Sequence, residues 1–220
     1  MTRYGIVVDL ERCVGCMTCV VNCKEENLTR PGVWWNQILQ VEDADTKRIV
    51  YVRYACMHCE NPPCVEACPN YAIHRRSDGV VIVDKRICAG AAACVKACPY
   101  GVIALNPDTE YFEGQSGPGE AELPAYRVHP PGKASMCTLC YHRLDEGLSP
   151  ACVVGCPSKA MIFGDLDDPE SAASVYMRRK RSEAMHASAG TAPKVTYVFP
   201  PGLKDSVERQ VGADPRMIKT

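Results

Sequence analysis

Fifteen cysteines in a chain of 220 residues limit the fold of this protein more than any other feature. Thiols in such number are either joined in disulfides or bound to metal. An odd count leaves at least one thiol unpaired in any all-disulfide scheme, and residues 1–10 contain no apolar core of a secretory signal. Most neighbouring cysteines are separated by two to four residues, which suits several ligands on one small metal site and suits disulfides badly.

The cysteines form four groups with related spacing. The first two are Cys13-x2-Cys16-x2-Cys19-x3-Cys23 and Cys56-x2-Cys59-x4-Cys64-x3-Cys68. The last two are Cys88-x2-Ala91-x2-Cys94-x3-Cys98 and Cys137-x2-Cys140-x11-Cys152-x3-Cys156. A proline follows the last cysteine of groups two, three and four.

The segments around the groups also repeat. Short β-branched stretches, Ile6–Asp9 and Ile82–Asp84, precede groups one and three at the same distance. Apolar stretches at 71–73, 102–105 and 160–163 follow the three Cys-Pro pairs. The pattern predicts a unit of strand, cysteine loop, short helix ending at Cys-Pro, and strand. Repetition of this unit indicates duplication of one small module.

The spacing indicates iron–sulfur clusters. In a C-x2-C-x2-C-x3-C-P run, the first three thiolates hold one cluster and the fourth belongs to a second cluster. The proline ends the short helix. Zinc is the main competitor, since C-x2-C pairs also form zinc ribbons. A zinc-binding interaction module is therefore the alternative from another class, although a tetrahedral site has no use for the longer run. A net charge of −1 gives no indication of nucleic-acid binding.

In this order, the four groups resemble the four-cluster ferredoxin-like iron–sulfur subunit of molybdopterin oxidoreductases. That family includes the subunits of dimethyl sulfoxide, nitrate, polysulfide, thiosulfate and arsenate reductases and of pyrogallol transhydroxylase. The resemblance covers about Tyr4 to Asp165. Besides group one, it rests on Cys56-Met57-His58-Cys59-Glu60-Asn61-Pro62-Pro63-Cys64, Cys94-Val95-Lys96-Ala97-Cys98-Pro99-Tyr100-Gly101, Cys137-Thr138-Leu139-Cys140 and Cys152-Val153-Val154-Gly155-Cys156-Pro157.

The resemblance implies an α+β fold of two bacterial-ferredoxin-like (βαβ-type) modules, one inserted in the other. Residues 1–50 and 134–165 would form the outer module with clusters one and two, and residues 51–105 the inner module with clusters three and four. Gly, Pro and Glu are frequent in 106–133, which predicts a surface insertion. Residues 166–220 carry no cysteine, and we expect an extended tail that contacts a partner or is partly disordered.

The family also implies a crossed set of ligands. Cluster one would take Cys13, Cys16, Cys19 and Cys156; cluster two Cys137, Cys140, Cys152 and Cys23; cluster three Cys56, Cys59, Cys64 and Cys98; and cluster four Cys88, Cys94 and Cys68.

Ala91 departs from the family pattern, because it stands where the second cysteine of group three is usual. With three thiolates, cluster four is expected to be [3Fe–4S] beside three [4Fe–4S] clusters. Two outcomes stay open: a [4Fe–4S] cluster completed by water or another ligand, or no cluster at this site.

We therefore expect a non-catalytic subunit that relays single electrons to or from a large molybdenum or tungsten subunit with molybdopterin. No nucleophile–base pair, phosphate loop or carboxylate pair is apparent. In the family, cluster one faces the catalytic subunit, and a membrane anchor or soluble redox partner completes the complex. A free-standing polyferredoxin is the alternative.

No apolar run reaches the ~18–20 residues of a membrane span. Without a signal peptide, we expect a cytoplasmic location, or a periplasmic or membrane-associated one through co-export with a partner.

Overall fold

A computed structural model describes residues 2–108 and 127–212. The strands in these residues are β1 (Tyr4–Asp9), β2 (Asn36–Glu42), β3 (Ile49–Ala55), β4 (Ile73–Arg75), β5 (Val81–Val83), β6 (Ala104–Leu105), β7 (Ala134–Ser135), β8 (Met161–Asp165), β9 (Glu183–Ala184) and β10 (Val195–Val198). The α-helices are α1 (Thr18–Asn27), α2 (Pro63–Glu66), α3 (Ala93–Ala97), α4 (Tyr141–Leu144), α5 (Ala151–Val154), α6 (Ala172–Lys180) and α7 (Lys204–Gly212), and Ala187–Ala189 form one turn of 3₁₀-helix.

The largest sheet has four strands in the order β8-β1-β10-β9. Its centre is β1, whose residues Ile6, Val7 and Val8 are fully buried. The strand lies antiparallel to β8, with Val7 opposite Ile162, and parallel to β10. Because β1 precedes cysteine group one and β8 follows group four, the sheet holds the first and last groups at the same end of the molecule.

The short helices that follow the cysteine loops pack in two pairs. Helix α1 of group one contacts α5 of group four, and α2 of group two contacts α3 of group three. The first contact is close, since a Cβ added at Gly155 would overlap the Asn22 amide. Helix α3 ends immediately before Cys98-Pro99, as predicted, whereas α1 continues past Cys23 to Asn27. Lys24 follows Cys23, so no proline ends the helix there.

The strands that the sequence predicts are present, some in the largest sheet and the others in small antiparallel pairs. The Ile6–Asp9 and Ile82–Asp84 stretches lie mainly in β1 and β5, and the three stretches after the Cys-Pro pairs lead into β4, β6 and β8, which confirms these strand predictions. Strand β4 pairs with β5, and β6 pairs with β7.

The β6–β7 pair closes the base of the predicted insertion, 106–133. There the Asn106 N–H donates to the Lys133 carbonyl oxygen, and the Gly132 N–H donates to the Asn106 carbonyl oxygen, both at 2.8 Å. Residues 109–126 of the insertion lie outside the described residues.

The segment after Asp165 packs on the cysteine-containing core, which the sequence analysis did not anticipate. Strand β10 is inserted into the largest sheet between β1 and β9, and its residues Val195 and Tyr197 are fully buried. Helix α6 packs on β8 and β1, and α7 packs on β2. Residues 166–212 therefore form part of the folded unit. None of the helices in the described ranges has the length and apolarity needed to cross a membrane.

Candidate metal centres

Left-handed backbone turns curl the cysteine loops around their thiols. His58 (φ 46°) and Leu139 (φ 53°) hold equivalent positions, two residues after the first cysteine of groups two and four. The His58 N–H donates to Cys56 Sγ, and the Leu139 N–H donates to Cys137 Sγ, each at 3.4 Å. A left-handed conformation costs a non-glycine residue about 1–2 kcal/mol. In this conformation, the backbone N–H groups of the loops are directed at the cysteine sulfur atoms.

The fifteen cysteines line four separate cavities, which we number one to four. Cavity one is lined by Cys13, Cys16, Cys19 and Cys156; cavity two by Cys23, Cys137, Cys140 and Cys152; cavity three by Cys56, Cys59, Cys64 and Cys98; and cavity four by Cys68, Cys88 and Cys94.

The last cysteine of each group lines a different cavity from the other cysteines of its group. Cys156 of group four faces the cavity of group one, and Cys23 of group one faces that of group four. Groups two and three exchange Cys68 and Cys98 in the same way. Two of these exchanged thiols accept a backbone hydrogen bond from the residue four positions later: Ala72 N–H to Cys68 at 3.2 Å and Ala160 N–H to Cys156 at 3.3 Å.

Cavity four has a methyl group at the position of the missing thiol. Ala91 lines this cavity together with the neighbouring small residues of the loop, Ala89 to Ala93. Cys88 Sγ accepts a hydrogen bond from the Ala134 N–H at 3.4 Å, which fixes the loop to β7. The cavity is thus formed by the same elements as the others, but three protein thiols face it.

The donor set of the cavities fits a polynuclear centre. Thiolates are soft ligands that bind zinc, copper(I) and iron–sulfur clusters. A zinc ion draws its sulfur ligands to about 2.3 Å. Across residues 2–108 and 127–212, no three His, Cys, Asp or Glu side chains are grouped for a single ion. The three or four thiols of each cavity instead line a shared space without being grouped for one ion, which suits a cluster.

Burial strongly affects the ionisation of these thiols. Burial raises the pKa of Cys19 to about 11, even though the nearby Arg53 lowers it. Burial raises the pKa of Cys23 by more than that of Cys19. Thiols in such surroundings retain their protons until a cation replaces them. Because the metal must displace these protons, its binding would release them to solvent.

The cavities follow one another in a row. Arg53 lines both cavity one and cavity two. Burial raises the pKa of Cys56 in cavity three, and the nearby Cys137 thiol of cavity two raises it further. Burial also raises the pKa of Cys64 to about 12, with contributions from Cys98, Cys59 and then Cys94 of cavity four. Arg53 thus links cavity one to cavity two, and interactions between thiols link cavity two to three and cavity three to four.

Both ends of the row approach the surface. In cavity one, Cys16 is exposed, and so are the adjacent Val14 and Met17. At the other end, Cys68 of cavity four is partly exposed, and Tyr71 nearby is strongly exposed. All cysteines of cavity two are buried. Cys98 of cavity three is partly exposed, so cavity two is the one cavity whose thiols are all buried.

Two polar side chains near the thiols were missed in the sequence analysis. Asn27 directs its Nδ2 at Cys23 Sγ and Cys140 Sγ, both at 3.7 Å, and donates to the Cys23 carbonyl oxygen at 3.0 Å. Arg53 lies in β3 and is 2% exposed. In the sequence, Arg53 could have been noticed as the charged residue of an otherwise apolar segment that ends immediately before Cys56, Val50-Tyr51-Val52-Arg53-Tyr54-Ala55.

Comparison with protein families gives two matches, both described as a 4Fe-4S dicluster domain. One covers residues 47–114 and 124–166, and the other covers residues 12–73. Together they include all four cysteine groups.

Several known proteins are similar over most of their length. The chain is 34% identical to the iron-sulfur subunit of an arsenate respiratory reductase from a Shewanella species, over 92% of this chain and 98% of that protein. It is 37% identical to a tetrathionate reductase subunit from Salmonella typhimurium, over 93% of this chain and 74% of that protein. It is 33% identical to one polypeptide of the anaerobic dimethyl sulfoxide reductase of Escherichia coli, over 90% of this chain and 86% of that protein.

Proposed function

Because this protein belongs to the family of iron–sulfur subunits that carry 4Fe-4S dicluster domains, we propose that it is the electron-transfer subunit of a reductase complex. When bound, the clusters supply one-electron redox chemistry. The protein positions their ligands, buries all the thiols of cavity two and leaves the Cys16 thiol of cavity one exposed. That row of four thiol-lined cavities is the observation that carries the proposal.

The thiols that share a cavity would be the ligands of one cluster. Cavities one, two and three each offer four thiols, which suits [4Fe–4S], and cavity four offers three, which suits [3Fe–4S]. The exchange of last cysteines between groups one and four, and between two and three, supports an arrangement of two ferredoxin-like modules, the second inserted within the first. Residues 1–50 and 134–165 would form the outer module and residues 51–105 the inner one.

The substrate chemistry would take place in a partner. Relatives are named as subunits of arsenate, tetrathionate and dimethyl sulfoxide reductases, which act on oxidised arsenic or sulfur compounds. We infer a large catalytic subunit with molybdopterin and molybdenum or tungsten, and a membrane anchor or soluble carrier at the opposite end. This chain would not itself be catalytic. Its compartment would follow that of the catalytic partner, in the cytoplasm or, after joint export, outside it.

Anaerobic affinity purification of the tagged chain from its native host tests this function. We expect a large partner with about one molybdenum or tungsten per complex, and iron with acid-labile sulfide in this chain. Dithionite should bleach the absorption of the purified complex. Zinc in place of labile sulfide would contradict the cluster assignment. A fully loaded chain that is always recovered alone would favour a free-standing electron carrier over a subunit.

Ala91→Cys tests the composition of cluster four. In the unaltered chain we expect one iron fewer than sulfide and, after oxidation, an EPR signal of about one spin per chain, because an oxidised three-iron cluster is paramagnetic. The variant supplies a fourth thiol to cavity four. Its iron and sulfide contents should become equal, and the oxidised signal should fall to about zero.

Ala93→Cys is the matched control, since Ala93 lines the same cavity but lies in α3, outside the C-x2-C spacing. It should retain the oxidised signal. A fully loaded but EPR-silent unaltered chain would show that a non-cysteine ligand completes a four-iron cluster. A chain that lacks the iron of one whole cluster would show that cavity four binds none.

A further inference from the structure

Arg53 is a buried cation located between two of the cavities. It lies in strand β3, where it is paired with Ile38 of β2, and its side chain lines both cavity one and cavity two. Its Nη2 lies 4.0 Å from Cys152 Sγ of cavity two. The backbone is fixed as well, since the buried Tyr197 hydroxyl of β10 donates to the Arg53 carbonyl oxygen at 3.0 Å.

No carboxylate compensates this charge. Across the described ranges, Arg53 forms no ion pair with Asp or Glu. Its Nε and Nη1 atoms are buried and have no hydrogen-bond partner within the same ranges. A guanidinium remains charged at any physiological pH, and an unpaired buried charge is strongly destabilising. Among the described residues, the groups next to its charge are thiols of the two cavities it lines, which become thiolates when they bind a cluster.

The geometry places Arg53 beside ligands of both cavities. Its side chain lines cavity one together with Cys19 and cavity two together with Cys152 and Cys137.

We propose that Arg53 is a positioning residue shared by the clusters of cavities one and two, and that it raises the reduction potential of both. This inference rests on the proposed function. A cluster with four thiolate ligands is negatively charged, and reduction adds one more negative charge. A fixed cation nearby stabilises the reduced form more than the oxidised form, and in a low-dielectric interior this preference is large. Located between two clusters, the same cation also weakens their mutual repulsion when both are reduced.

The test compares Arg53→Met with Arg53→Lys in the anaerobically purified complex. EPR-monitored redox titration gives each midpoint potential, with signals of clusters one and two assigned through Cys16→Ser and Cys140→Ser. In Arg53→Met we expect both clusters to be at least tenfold harder to reduce, a downward shift of 59 mV or more for each one-electron couple. Clusters three and four should not shift. Arg53→Lys keeps the charge and should restore most of both potentials.

Arg30→Met is the matched control, because Arg30 is also fully buried but lines none of the four cavities. Any general effect of removing a buried arginine should appear there without a shift of clusters one and two. Unchanged potentials of both clusters in a fully loaded Arg53→Met complex would overturn the inference. An equal shift of all four clusters would also overturn it, since that would indicate a general structural effect.

A measurement on the unaltered chain covers the case in which Arg53→Met does not assemble its clusters. With ¹⁵N-labelled arginine, pulsed EPR of the reduced complex should show a ¹⁵N coupling to cluster two, because Arg53 is the one arginine among the described residues that line the four cavities. Absence of the coupling would overturn the inference. The iron and sulfide content of the same sample tests the proposed function separately.

Discussion

A complex in which Cys137 and Cys152 are both replaced by alanine is expected to pass electrons between cavities one and three at least about 100-fold more slowly than the unaltered complex, since changes to residues that merely support a metal ligand already cost ~10–100-fold in metal affinity or activity. Both cysteines are buried and line cavity two. Two thiols then remain there, fewer than the three that would hold a [3Fe–4S] cluster in cavity four, so an interior member of the row is lost. Because electron tunnelling decreases steeply with distance, the remaining gap should interrupt transfer without unfolding either end.

Freeze-quench EPR measures this interruption directly. The complex is first reduced completely and then oxidised through the catalytic subunit, with the compound that the captured partner reduces. In the Cys137→Ala/Cys152→Ala complex, cluster one should reoxidise while clusters three and four remain reduced. Thr138→Ala changes the wall of the same cavity without removing a thiol, and all clusters should reoxidise there. Equally fast reoxidation of all remaining clusters in the doubly substituted complex would show that electrons do not travel along this row.

The local elements near the cysteines could be predicted from the sequence because each depends on neighbouring residues. β-branched residues at Ile6–Asp9 and Ile82–Asp84 favour strands, and proline after Cys98 limits α3 to a short helix. The cysteine spacing likewise separates a cluster loop from a zinc pair. The ligand sets and the nesting of modules came from family resemblance, since spacing alone does not determine which groups exchange their last cysteines.

Features formed by distant parts of the chain could not be predicted in this way. Strand β10 carries a plausible strand sequence, Val195-Thr196-Tyr197-Val198, but its parallel pairing with β1 joins residues almost at opposite ends of the chain. Arg53 is conspicuous in an apolar strand, yet only the folded chain shows that β3 places it beside cavities from groups one and four. Long-range packing therefore determines both the core and the charge at the site.

Removal of the clusters is expected to unfold the proposed inner module, 51–105, whose strands after β3 are short. Strands β4 and β5 contain three residues each and β6 contains two, and six of the fifteen buried residues in the core around them are cysteines. A structural metal contributes ~10–16 kcal/mol to folding in zinc-finger peptides. Net domain stability is only ~5–15 kcal/mol. Loss of even one such centre should therefore exceed what the inner module can tolerate.

The two proposed modules should differ in how far they unfold when the clusters are removed. The largest sheet is supported by β10 and by apolar residues such as Ile6, Val195 and Tyr197, so it keeps a core that does not depend on thiols alone. After anaerobic iron chelation with reductant present, hydrogen exchange should become fast at β4 and β5 and remain slower at β1 and β10. Reconstitution with iron and sulfide should restore protection in both modules, whereas zinc should not. Protection of β4 and β5 that is equal with and without clusters would contradict the view that the clusters form the core of the inner module.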